Sequence, residues 1–504
     1  MKEFTVTQRV RADTVGKALE DHGDLYAGFQ TVALAAPHAP AVIRHDGTTS
    51  SYEALLDAVD AAAERLTAEL HHGDVLGLAV EDPFTFVALY LAAAKLNVVT
   101  VLLDSQLSAQ EREHSAAKYD LGMLAVDHGR LGRPGSFLLE PVPDADLHRA
   151  RSGYAPEDFV VHCTSGSTGK PKGIVMSQEA ITARIRLWGS ELDLTHADVV
   201  LCALPLSHCH GIDVLTLPTL LSGATVVFAQ GSQLTGRGLA RCIETHGITV
   251  MSGLPVMYQM LTAARGVPAM ALRTLRLAIS GSAPLRESTQ KKFLEQYGLP
   301  LRQVYGLSEI AIICFDKAYV GNGSIGLPIA GVEYRLESVS DDDAESDHVH
   351  ELYVRGPGLA RGYYRDPDAT AEMFEDGWLR TRDLVLVEPD GWYILGRQST
   401  FINVAGNKVG PLEVEAALRQ CSGVLDCAVV GVTDSRSTEQ IAALLVTGQR
   451  FDLSTVRRQL GELLLSYQLP QRYEIAAALP RTPLGKTDYA AVRQRMHTDY
   501  GEGK

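Results

Sequence analysis

FVVHCTSGSTGKPKG, residues 159–173, joins a short apolar run to a loop of glycines, hydroxyls and lysines. A continuous apolar run without alternation suggests a strand covered on both faces, as a parallel sheet requires. In the loop, glycines let the backbone turn tightly and approach a ligand closely. Exposed N–H groups and hydroxyls there can cradle phosphate oxygens, and Lys170 and Lys172 add positive charge. A Walker A loop needs glycine where this chain has Thr164, and serine or threonine where it has Pro171. A P-loop nucleoside triphosphatase is therefore disfavoured.

Outward from this loop, further apolar runs recur at helix-sized intervals: VLGLAV (75–80), VVTVLL (98–103), VVLCAL (199–204), ATVVFA (224–229), ITVMS (248–252) and LRLAIS (275–280). Helical patterns accompany them. In SYEALLDAVDAAAERLTAEL (51–70), Leu55, Leu56, Val59, Leu66 and Leu70 fall roughly on one face. LRESTQKKFLEQYG (285–298) closes on Gly298. This alternation predicts an α/β protein built on large, mostly parallel sheets. The most apolar long stretch, FVALYLAAAKLNVVTVLLD (86–104), carries Lys95 and Asn97 near its middle, which predicts a helix and a buried strand rather than a membrane span.

After about residue 320 the texture changes. Residues 331–364 read as antiparallel strands around the acidic turn DDDAESD (341–347). A smaller α+β unit begins near Arg397, and PLEVEAALRQCSG predicts a helix from Pro411 that stops at Gly423. There is no internal repeat or low-complexity linker. The expected organisation is a large domain over 1–395, a tight hinge at 396–400 and a mobile C-terminal domain over 401–504.

The 504 residues are 46% apolar and 21% charged, the balance of an ordinary globular protein. A net charge of −15 argues against general affinity for nucleic acid or anionic membrane. Cysteines at 163, 202, 209, 242, 314, 421 and 427 form no CxxC, and their odd number cannot all pair within one chain. A reduced, cytoplasmic compartment is expected. The N-terminal stretch MKEFTVTQRVRADTVGKALEDHGD lacks an apolar core and does not read as a signal peptide.

The glycine-rich loop does not stand alone. LPLSHCHG (204–211), SGSAPL (280–285), VYGLSE (304–309), GYYRDPDAT (362–370), GWLRTRDL (377–384), GRQSTFINVAGNKVGPLEVE (396–415) and LPRTPLGKTDY (479–489) follow in order. With TSGSTGKPKG (164–173), they resemble the signature motifs of the acyl-adenylate-forming superfamily: acyl- and aryl-CoA synthetases, adenylation domains of non-ribosomal peptide synthetases, and luciferases. The resemblance spans about residues 160 to 489. It implies an enzyme that uses ATP and Mg²⁺ to convert a carboxylic acid to an acyl-adenylate, releasing pyrophosphate. The acyl group then passes to the thiol of coenzyme A or, alternatively, to the phosphopantetheine of an acyl carrier protein.

The resemblance also implies residue roles. Thr164, Ser165, Gly166, Ser167, Thr168, Gly169, Lys170 and Lys172 would hold the β- and γ-phosphates. Ser282, Ala283, Pro284 and Gly306 would line the ATP site, with Tyr305 along the adenine and Ser308 at the α-phosphate. Glu309 would bind Mg²⁺, a hard cation bridging carboxylate and phosphate oxygens. Asp383 would accept from both ribose hydroxyls, and Arg397 would reach the ribose or phosphate. Lys486 would stabilise the charge that builds as the acid attacks the α-phosphate.

His208 would line the acyl pocket and gate the thiol's route, beside Cys209, Ser282, Gly306, Leu307 and Ile310. That mostly apolar lining suits an aryl or fatty acid. Cys209 stands where amino-acid-activating relatives carry aspartate, which disfavours an α-amino acid; Asp213 lies four residues further on. The cluster His208-Cys209-His210 has no further metal ligands nearby in sequence. In a second conformation Asn403 and Gly406 would line the pantetheine tunnel, with Ser399 at the hinge. Asn403 replaces the lysine found in many acyl-CoA synthetases and is similar to aryl-activating enzymes that load carrier proteins, although some CoA ligases share the asparagine. Monomers or homodimers are common in similar enzymes. A non-catalytic acyl- or nucleotide-binding protein is disfavoured, because Glu309, Asp383, Arg397 and Lys486 are all retained.

Overall fold

A computed structural model describes residues 24–70, 74–127, 135–143, 153–164, 172–338, 349–397, 402–404, 407–433, 439–449, 451–482 and 486–498. The chain divides into two compact units, residues 1–334 with 354–380 and residues 335–353 with 381–504.

In the first unit the apolar runs become buried strands. A nine-stranded sheet runs Leu327–Pro328, Ala311–Phe315, Leu301–Leu307, Leu277–Ser280, Val250–Gly253, Val199–Cys202, Thr225–Phe228, Pro40–Ile43, Thr49–Ser51. Its interior pairings, from Leu301–Leu307 across to Pro40–Ile43, are parallel, and its outer pairings are antiparallel. A seven-stranded sheet runs Gly362–Tyr363, Lys172–Ser177, Asp158–Thr164, Thr100–Leu102, Leu76–Ala79, Met123–Asp127, Phe137–Pro141. It too is parallel at the centre and antiparallel at both margins.

The margins differ because short turns can join antiparallel neighbours, whereas parallel neighbours need a crossover. One consequence falls on the glycine-rich loop. Asp158–Thr164 is parallel to Thr100–Leu102 on one side and antiparallel to Lys172–Ser177 on the other, with Thr164 opposite Lys172. Residues 165–171 therefore connect two strands of a hairpin. The helix Gln178–Glu191 comes one strand later, capped by Ser177.

Helices form where the periodicity predicts them. Ser51 caps Tyr52–Glu69 through its side chain, and Gly298 ends Glu287–Tyr297 at φ 67°. The apolar stretch 86–104 resolves into the helix Pro83–Leu96, ended by Asn97 at φ 52°, and the strand Thr100–Leu102. Among the described residues no helix is long and apolar enough to cross a membrane.

The second unit has its own core. An antiparallel pairing places Asp383 opposite Arg397, and Ile402–Val404 pairs with Asn407–Val409. Val424–Thr433 and Glu439–Thr447 are antiparallel, with Arg472–Ala476 added parallel. Alternation along these strands splits the core, since successive side chains face opposite ways. Val429, Ile441, Ala443 and Leu445 meet the helices Pro411–Gln420 and Leu453–Leu463. Val430, Val432, Ala442 and Leu444 meet Val492 and Met496 of the helix Tyr489–Thr498. The helix from Pro411 ends at Gln420, not at Gly423: Cys421 is already extended, and Gly423, at φ 85°, serves the turn into the next strand. The acidic turn 341–347 lies outside the described residues.

Candidate active site

Thr164 and Lys172 close the hairpin of the glycine-rich loop, and Thr164 Oγ1 donates to Lys172 O at 3.4 Å. Ser165, Gly166, Ser167, Thr168, Gly169 and Lys170 lie outside the described residues. The Lys172 ammonium sits 4.7 Å from the centroid of the Tyr363 ring. Tyr363 Oη in turn donates to Glu309 Oε1 at 2.7 Å. The basic edge of the loop and the carboxylate of VYGLSE thus meet at one tyrosine. Tyr363 lies in GYYRDPDAT, one of the ordered motifs, but nothing in the sequence singles it out for this contact.

VYGLSE is the end of a strand and the turn that follows. The strand Leu301–Leu307 returns as Ala311–Phe315, with Gly306 opposite Ile312. A Cβ on Gly306 would stand 1.9 Å from Ala311 O, so only glycine fits. Ala311 itself is held at φ 67°, unusual for a residue with a side chain. Ser308 and Glu309 occupy the turn, partly buried, while Tyr305 lies on the strand before it and Ile310 is buried.

The turn rests on a buried ionic cluster. Arg184, from the helix Gln178–Glu191, donates to Ser308 O at 3.3 Å, Glu309 O at 3.4 Å and Gly358 O at 2.6 Å. It also donates to Asp213 Oδ2 at 3.1 Å, and His162 Nε2 lies 3.2 Å from the same oxygen. Burial alone would raise the Asp213 carboxyl; His162 and Arg184 more than offset it and hold it below the usual carboxylate value. Asp213 is thus engaged with two partners. Cys209 Sγ is 3.9 Å from Arg184 Nη1, and burial pushes its thiol well above the ordinary range.

Beside Arg184 a small, mostly apolar cavity is lined by Leu187, Ile310, Ile312, Ile329, Val332 and Gly356–Gly358. Of the expected acyl-pocket residues, Ile310 lines it. His208, partly buried, starts the π-helical segment His210–Thr216 by accepting from the Gly211 and Ile212 N–H groups. His210 bridges Ser282 Oγ and Ser252 Oγ at 2.8 Å each. Ser282 itself sits at φ 62°, a left-handed conformation, just beyond the strand Leu277–Ser280. Ala283 and Pro284 continue the same turn, partly buried and exposed respectively. His210 is a second residue whose place here the sequence did not reveal.

Among the described residues no group of three or more His, Cys, Asp or Glu side chains gathers as a metal site. Mg²⁺ needs no such cage, because it keeps waters and takes substrate phosphate oxygens beside one or two carboxylates. Glu309, with one oxygen held by Tyr363, is a carboxylate that could serve as a hard ligand of that kind.

In the second unit Asp383 is buried, and its N–H donates to Thr381 Oγ1 at 3.1 Å. Arg382 before it is held at φ 60°. Lys486 is exposed, and its carbonyl accepts from Thr482 N at 2.8 Å. Ser399 and Gly406, with the side chains of Arg397 and Asn403, lie outside the described residues.

Residues 29–364 match the family model for AMP-binding enzyme, and residues 413–486 match that for AMP-binding enzyme C-terminal domain. A feruloyl-CoA synthase from Amycolatopsis sp is 31% identical over 481 residues, covering 92% of this chain and 97% of that protein. The ATP-bound crystal structure of MatB from Rhodopseudomonas palustris superposes with a TM-score of 0.81 at 23% identity, covering 97% of this chain and 100% of that one. The O-succinylbenzoate coenzyme A synthetase of Bacillus subtilis, in complex with AMP, gives a TM-score of 0.77 at 25% identity, covering 93% and 98%.

Proposed function

This chain belongs to the AMP-binding enzyme family and is an AMP-forming acid–thiol ligase; from that premise we propose that its acid is an aryl acid of the hydroxycinnamate class. It uses ATP to form an acyl-adenylate with release of pyrophosphate, then transfers the acyl group to the thiol of coenzyme A. The observation that carries the choice of acid is the similarity to a feruloyl-CoA synthase over nearly the whole of both chains.

The residues divide the work as follows. The substrate carboxylate attacks the α-phosphorus, and the bond to pyrophosphate breaks. Loop 164–172 takes the β- and γ-phosphates. Tyr305, Ser282, Ala283, Pro284 and Gly306 frame the adenine side, and Ser308 meets the α-phosphate. Glu309, hydrogen-bonded by Tyr363, would hold Mg²⁺, which when bound would neutralise charge on the phosphates. Asp383 accepts from the ribose hydroxyls, with Arg397 beside it. Lys486 stabilises the negative charge of the first transition state. His208, Cys209, Leu307 and Ile310 border the acyl group. Residues 401–504 then turn about the hinge at Ser399, and Asn403 and Gly406 admit the thiol arm.

One residue favours a second acceptor. Asn403 is similar to enzymes that load carrier proteins, though some CoA ligases share it, so the phosphopantetheine of a carrier protein is the alternative to coenzyme A. A cytoplasmic location fits seven cysteines, none of them in a disulfide. A monomer or homodimer completes the reading.

Pyrophosphate release from ATP with Mg²⁺ tests it, across aryl and short-, medium- and long-chain acids, with hydroxylamine trapping the adenylate. Hydroxycinnamates are expected to be fastest; faster turnover of fatty acids would overturn the aryl assignment. Transfer to free coenzyme A is then compared with transfer to a holo-carrier protein.

A further inference from the structure

The helix Pro411–Gln420 buries a carboxylate that the mechanism above does not use. Glu415 is fully buried. Its Oε1 accepts from Val429 N at 2.9 Å and from Tyr489 Oη at 2.9 Å, and its Oε2 accepts from Arg419 Nη2. A carboxylate taken wholly out of water is expensive to keep, and such a group is retained only with several charge-assisted partners. Burial pushes the Glu415 carboxyl up, and Arg419, Val429 N–H and Tyr489 pull against it.

Two arms lead from this group to Lys486. On one, Tyr489 begins the helix Tyr489–Thr498, three residues after the lysine, and Asp488 between them caps that helix through the Ala491 N–H. On the other, Arg419 Nε lies 4.0 Å from Asp426 Oδ1, and Arg481 Nη2 donates to Asp426 Oδ2 at 2.9 Å. Arg481 also donates to Thr487 Oγ1 at 3.2 Å. The two arms meet as a small hairpin: Arg481 bridges Thr487, Thr482 N donates to Lys486 O, and Asp488 N donates to Pro480 O. Lys486 is exposed, and its carbonyl is held by the Thr482 N–H within this hairpin, between the two arms.

We propose that Glu415 is the anchor that positions Lys486, acting through Tyr489 on one arm and through Arg419, Asp426 and Arg481 on the other. Tyr489 and Glu415 are positioning residues for the adenylation step alone, since Lys486 serves that step. This rests on the reading of Lys486 given above.

The test separates the half-reactions, using the acid with the fastest pyrophosphate release in the panel. Adenylation is followed as pyrophosphate release from Mg²⁺–ATP, and thioester formation as capture by coenzyme A of the synthetic acyl-adenylate. Tyr489→Phe is expected to slow adenylation about ten- to a hundredfold, the scale of a displacement near one ångström, and to leave thioester formation within about twofold. Added to Lys486→Ala, it is expected to have no further effect, because residues acting as one unit are not additive. Glu415→Gln is expected to show the same asymmetry. Equal slowing of both half-reactions, by chemistry or by loss of folding, would overturn the proposal. So would unchanged adenylation in Tyr489→Phe, or a full additional loss in the double variant. If Lys486→Ala itself leaves adenylation intact, the lysine reading fails and the anchor falls with it.

Discussion

Tyr363 carries the most testable contact of the first unit, since one phenol hydroxyl joins the Glu309 carboxylate while its ring lies under Lys172. A hydrogen bond to a charged group contributes about 1.5–3 kcal/mol. Tyr363→Phe is therefore expected to lower kcat/KM for ATP roughly ten- to a hundredfold and to raise the Mg²⁺ concentration needed; an unchanged Mg²⁺ dependence would count against it. Lys486→Ala is expected to cost about 10²–10³ in pyrophosphate release, as loss of other charge-stabilising donors does. Asp213→Asn leaves the buried Arg184 without its counter-charge. Breaking a buried pair in this way costs about 3–5 kcal/mol, to be read in denaturant unfolding. The sequence named Glu309 and Lys486 because they sit in ordered motifs. It could not reveal Arg184 as a buried cation, since an arginine in a mixed helical stretch reads as a solvated face until its partners are known.

Among the elements, the tight hairpin Leu301–Leu307 to Ala311–Phe315 controls where Ser308 and Glu309 point. Gly306→Ala puts a methyl against Ala311 O and forces the hairpin open. A cost of about 1–3 kcal/mol is expected from such crowding, with a higher KM for ATP; an unchanged melting temperature would show that the hairpin yields freely. Buried central strands were legible because both faces are covered and the apolar runs are unbroken. Edge pairing was not. Lys172–Ser177 is an apolar run like the parallel ones, and nothing in its residues says that it lies antiparallel to Asp158–Thr164. The loop reads as a phosphate-binding candidate in sequence, while the antiparallel pairing of the strands that flank it is a tertiary fact.

For the whole molecule, the second unit's layered core, with helices on both faces of its three-stranded sheet, is separate from the large clusters of the first. Two transitions are expected in calorimetry, with a calorimetric enthalpy above the van't Hoff value; a single two-state transition would mean that the units unfold as one. Cys209 has a consequence of another kind. A mixed anhydride formed beside a cysteine invites self-acylation, in which the catalyst consumes its own product. The thiolate is the attacking species, and Cys209 is buried next to the Asp213 carboxylate, so that burial first and the neighbouring charge second keep it protonated. In the proposed acyl site, where Cys209 borders the acyl group, a sulfur kept protonated in this way would not compete with the thiol that arrives from outside.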